Sequence, residues 1–80
     1  MIRYHKQAEK YILSQGKTTA MRLFRAIENL PLGDVKRLQG GNEPPLYRLR
    51  VGNYRVVFHH GADGFTILCV DSRGDIYKRL

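Results

Sequence analysis

The sequence predicts an α+β domain in which two N-terminal helices pack on one face of a small antiparallel sheet, in the order β-α-α-β-β-β. Apolar residues recur at helical spacing as far as Leu30, and from Leu46 onward they alternate. Between these halves, Gly40-Gly41-Asn42-Glu43-Pro44-Pro45 is a dense run of turn formers and breakers, so the change of period marks a change of structure. The chain has 80 residues. That bounds it to one domain, 1–80, near the lower size at which a core forms without disulfides or metal.

Ile2 to Tyr4 is a short strand candidate. Ala8, Tyr11 and Ile12 then fall at helical spacing, with Gly16 placed to end that helix. Thr18 or Thr19 is expected to cap the second helix, whose stripe is Ala20, Leu23, Phe24, Ile27 and Leu30. Arg22, Arg25 and Glu28 fall on its solvent side. Pro31 and Gly33 stop it. Three alternating segments follow, Leu46 to Val51, Tyr54 to His60 and Phe65 to Asp71. Gly52-Asn53 suits a two-residue hairpin turn, Gly61 to Gly64 forms a second loop, and Asp75 to Lys78 is an optional last element.

Composition narrows the partners. Fourteen Lys plus Arg against seven Asp plus Glu give a net charge of +7, a positive potential that draws polyanions. The longest apolar runs, Val56 to Phe58 and Ile67 to Val70, are far too short to span a bilayer, and the N-terminus lacks a signal-peptide stretch. A cytoplasmic location is the expectation. Cys69, the only cysteine, sits in an apolar run and reads as a packing thiol.

The Gly52-Asn53 turn fixes a register in which Val51 opposes Tyr54, Arg50 opposes Arg55, Leu49 opposes Val56 and Arg48 opposes Val57. Opposed residues share a face. One face then carries Tyr47, Leu49, Val51, Tyr54, Val56 and Phe58, ready to receive the helical stripe. The other carries Arg48, Arg50, Arg55 and His59. Two opposed arginines repel, and no acid lies between Leu46 and Ala62, so an external anion is expected to relieve them. The C-terminus adds Arg73, Tyr77, Lys78 and Arg79.

The run Leu46-Tyr47-Arg48-Leu49-Arg50-Val51-Gly52-Asn53-Tyr54-Arg55-Val56-Val57-Phe58 resembles the central hairpin of the RelE/ParE toxin superfamily. Lys36-Arg37-Leu38 and the ending Arg73-Gly74-Asp75-Ile76-Tyr77 are similar to it too, and the resemblance covers essentially the whole chain. It implies a RelE-like fold and the toxin of a type II toxin–antitoxin pair: a ribosome-dependent, metal-independent endoribonuclease that cuts mRNA in the A site of the 70S ribosome and is held inactive by an antitoxin. No cofactor or membrane is implied. By position, Arg50, Arg55, Arg73 and Tyr77 are the implied catalytic residues, with Lys36, Arg37, Arg48, His59, Lys78 and Arg79 as RNA-binding residues. Arg55 and Arg73 would meet the growing charge, and Tyr77 would orient the phosphate or move a proton. The general base stays unassigned, with Arg50 the family's candidate and His59 a weaker one, since arginine is a poor proton acceptor.

Two other functions fit the same features: a ParE-type inhibitor of DNA gyrase, and a non-catalytic basic module that binds RNA or the ribosome. His59 and His60, adjacent on a strand, point to opposite faces and cannot share a metal. Gly16-Lys17-Thr18 imitates the end of a phosphate loop, but the glycine such a loop needs is replaced by Tyr11.

Overall fold

The computed structural model describes residues 1–38 and 45–72. Its elements are β1 (Ile2–Tyr4), α1 (Lys6–Leu13), α2 (Lys17–Glu28), β2 (Asp34–Arg37), β3 (Leu46–Val51), β4 (Tyr54–Gly61) and β5 (Gly64–Asp71). The strands form one sheet in the order β1-β5-β4-β3-β2. The α+β class and the hairpin register stand as the sequence implies. Two features differ. Asp34–Arg37 adds a fifth strand, antiparallel to β3, and β1 runs parallel to β5, so the sheet is mixed. Only Val35 is apolar in β2, too little alternation to read as a strand, and edge pairing with β3 supplies what the pattern lacks.

Both helices lie on one face, α1 over β5 and α2 over β3. Ala8 and Ile12 of α1, Ala20, Leu23 and Ile27 of α2, and Leu49, Val51, Val56, Phe58, Ile67 and Val70 of the sheet form the main core. Helical and alternating periods thus meet as sequence alone requires. The second helix starts one residue ahead of the threonines: Gly16, at φ 92°, is its cap, and no side chain caps it. Gly16 opens α2 instead of closing α1, which gives way at Ser14. The Tyr54 hydroxyl donates to Gln15 Oε1 at 3.0 Å and ties the hairpin to the turn between the helices.

The β4–β5 ladder contains a bulge. From Gly61↔Gly64 to Phe58↔Ile67 the pairing is regular, and then Leu68 is passed over so that Val57 meets Cys69, Val56 meets Val70 and Arg55 meets Asp71. One extra residue reverses the side on which every later side chain falls. Val70 therefore enters the core, and Asp71 joins the arginines.

Candidate nucleic-acid interface

The open face of the sheet is organised by the ladders. Across the hairpin tip runs the row Asp34, Arg50, Arg55, Asp71, each opposite the next on adjacent strands. The next row holds Lys36, Arg48, Val57 and Cys69, and the far row holds Leu46, His59, Thr66 and Arg3. Arg50 and Arg55 are cross-strand neighbours away from the helices, and an open cleft between them is lined by Gly52, Asn53 and Ser72.

The arginines are not alone. Asp34 and Asp71 close the row at both ends, and Asp34 Oδ1 lies 3.6 Å from Arg48 Nη1. Beside the anion expected to relieve the opposed arginines, the ladder sets a carboxylate from a strand remote in sequence next to each of them. Cations still dominate the face, with Arg3, Lys36, Arg48, Arg50 and Arg55 against these two acids. The Arg48 side chain is only 11% exposed, and its buried Nη1 makes no hydrogen bond among the described residues. The ion pair with Asp34, too long for a hydrogen bond, offsets part of the cost of burying this donor.

A second, small apolar cluster on this face joins Leu46 of the far row to fully buried Val57 of the middle row, with Leu38, Leu68 and Cys69 against them. Cys69 belongs to this packing. His59 is on the arginine face but four residues along β4 from Arg55, roughly 13 Å at the rise of a strand, so it does not reach the same phosphate. Lys36 joins the face. Arg37 does not, because its partner is Tyr47 on the helix side. Arg73, Tyr77, Lys78 and Arg79 lie outside the described residues. Among those described, no group of three His, Cys, Asp or Glu is placed to hold a metal ion, and no helix is long and apolar enough to cross a membrane.

Arg22 is a residue that helical periodicity assigns simply to solvent. Its guanidinium lies against Gly52, where a Cβ would collide with Nη2 and come within 3.1 Å of Cζ. At φ 58° Gly52 is also left-handed. The turn needs glycine twice over, and α2 thereby brings a third guanidinium to the hairpin tip. No single-sequence signal marks this contact, which spans thirty positions.

Comparison with known proteins places the fold. The model of the family described as the ParE toxin of the type II toxin-antitoxin system, parDE, matches residues 2–77. Among solved structures the chain is similar to one in the archaeal RelE-RelB complex from Pyrococcus horikoshii OT3, at 30% identity and TM-score 0.71, covering 91% of this chain and 93% of that one. It is similar also to one in the RelB-RelE antitoxin-toxin complex from Methanococcus jannaschii, at 27% identity and TM-score 0.72, covering 98% of each. No curated protein matches the sequence.

Proposed function

We propose, because the chain belongs to the ParE toxin family of type II toxin–antitoxin systems, that its toxicity is nucleolytic: it cuts mRNA on the ribosome without a metal. The carrying observation is the arginine row. Arg50 and Arg55 are opposed at the hairpin tip, with Arg48, ion-paired to Asp34, one ladder step away. Three guanidinium forks on one rigid sheet suit a phosphate whose charge grows as a ribose 2′-oxygen attacks it and the 5′-oxygen departs.

In this reading Arg55 and Arg73 hold the growing charge, Arg50 and Arg48 grip the phosphate, Lys36 adds to the field, and Tyr77 orients the phosphate or moves a proton. The likeness to RelE chains bound to RelB supports an antitoxin as partner, an acidic protein that covers the cationic face. A product of the neighbouring gene that neither binds the domain nor relieves growth arrest would remove that partner from the account.

Brief expression with translation, mRNA integrity and DNA supercoiling followed together is the test. Transcripts should be cut on translating ribosomes while supercoiling stays unchanged. Arg55→Ala and Arg73→Ala should each cost about a hundredfold or more in cleavage. Arg55→Lys, which keeps a positive charge opposite Asp71, should lose most cleavage as well, because one ammonium does not reproduce a bidentate fork. Tyr77→Phe should cost as much as the arginine changes if the hydroxyl acts, and less if the ring only stacks. The match to the ParE model favours a second reading, gyrase inhibition, which intact transcripts and relaxed DNA would establish instead.

A further inference from the structure

The far end of the same face holds a second group of polar and cationic side chains that the proposed chemistry does not use. Arg3 on β1, Thr66 on β5 and His59 on β4 are successive ladder partners, so their side chains stand side by side on the open face. Together with Met1, Gly61, Ala62, Asp63, Gly64 and Phe65 they line a cavity of about 170 Å³. The wall is shaped for these groups. A Cβ at Gly61 would come within 3.1 Å of His59 Cε1, so the imidazole lies folded over a residue that has no side chain. A Cβ at Gly64, which sits at φ 122°, would strike the Met1 carbonyl oxygen, so β1 lies close against the β4–β5 turn and Arg3 is held beside the cavity. Arg3 is exposed and has no ion-pair partner among the described residues.

We propose that this cavity is a second phosphate subsite, which takes a backbone phosphate of the same RNA strand whose scissile phosphate lies at Arg50 and Arg55. The inference rests on the nuclease reading and extends it. The two cationic ends are separated by roughly 13 Å along β4, measured as four strand residues, and the interval holds fully buried Val57 with the partly exposed Leu68 and Cys69 beside it on β5. A strand laid across β4 and β5 therefore meets charge, the partly exposed Leu68 and Cys69, and charge again. That order suits a backbone contacted at two phosphates with a base between them, the usual economy of single-strand recognition. Arg3 supplies the fork, the Thr66 hydroxyl and the His59 ring supply further donors, and Asp63 is the one carboxylate on the wall, which opposes the anion.

Binding of short 2′-O-methyl RNA, which lacks the attacking hydroxyl, tests the subsite by fluorescence anisotropy. A dinucleotide reaches one end only, whereas a hexanucleotide spans both. Arg3→Ala should weaken the hexanucleotide about tenfold, the loss of one charged hydrogen-bonding contact, and leave the dinucleotide unchanged. The slope of log affinity on log salt for the hexanucleotide should fall by about 0.7, one phosphate on a single strand. Gly61→Ala, which pushes the His59 ring aside, should give a smaller loss of the same length-dependent kind, and Asp63→Asn a gain. Arg3 is exposed, so the melting temperature should hold within a degree or two and separate binding from folding. An Arg3→Ala protein that binds both lengths as the parent does, or loses both equally, overturns the subsite. If Arg55→Ala also leaves both lengths unaffected, the nuclease reading itself has failed, a result distinct from failure at Arg3 alone.

Discussion

Under the helices, the sheet presents Leu49, Val51, Val56, Phe58, Ile67 and Val70 as one apolar layer that meets two apolar helical stripes. On the other side the same strands present a row of two arginines between two aspartates, a small apolar strip, and a polar row ending at Arg3. The backbone is common to both, so the difference lies in what decides each face. The covered face is decided locally, since alternation within each strand is enough to bury its residues. The open face is decided by which strands become neighbours, and only that pairing puts Asp34 beside Arg50 and Asp71 beside Arg55.

The two faces should fail differently when cut. Phe58, almost fully buried and packed on Tyr47 and Phe65, should cost about 3–5 kcal/mol on replacement by alanine. Exposed Arg50→Ala should change stability by less than about 0.5 kcal/mol while it weakens RNA binding. Thermal and urea melts of the two variants check the contrast, and a destabilised Arg50→Ala protein would show the open face to be part of the structural core.

Gly52 lies where the faces meet and tests whether they are coupled. Alanine there must adopt a left-handed φ and displace the Arg22 guanidinium, at a cost of about 1–3 kcal/mol. Gly52→Ala/Arg22→Ala removes the collision but keeps the backbone strain. Recovery of part of the lost stability in the double variant would locate that part in the contact, and no recovery would assign all of it to the turn.

Asp34 sharpens the comparison from the open side. Its carboxylate is 59% exposed, so its pairing with Arg48 contributes at most about 1 kcal/mol to stability. Its charge nevertheless opposes any phosphate that enters the row. Asp34→Asn should tighten RNA binding by about threefold with little change in melting temperature. Weaker binding would mean that Asp34 holds Arg48 in its working position instead of competing with the phosphate.

Legibility followed the same division. The hairpin register, the apolar layer and the opposed Arg50 and Arg55 were all readable, because a two-residue turn and a period of two fix them within thirteen residues. Asp71 was not. An unbroken ladder from Gly61↔Gly64 would place Val70 opposite Arg55 and turn Asp71 toward the helices, and only the passed-over Leu68 reverses this. Asp34 was hidden for a related reason, since a strand with one apolar residue is made by its neighbour. The pairing of Arg3 with Thr66 needs β1 and β5, the two most distant strands in sequence, to lie side by side.

The smallest expected effect belongs to the covered face, and it concerns the one group there whose titration the fold shifts clearly. Tyr4 packs edge-on against Phe24 at 5.5 Å, and burial, assisted by the charges of Glu28 and Glu9, pushes its hydroxyl up to about 12 from an ordinary 10.0. The folded chain thus keeps a proton that the unfolded chain gives up, and stability must fall wherever the unfolded state binds fewer protons. The contribution is complete below pH 10 and disappears as the pH climbs from 10 through about 12. Tyr4→Phe keeps the ring contact and removes the titration, so the stability difference between the parent and this variant should be flat from pH 7 to 9 and drift against the parent above 10. Urea melts at intervals of half a pH unit measure it, and a difference that stays flat to pH 11.5 would show that Tyr4 ionises as freely in the folded protein as in the unfolded chain.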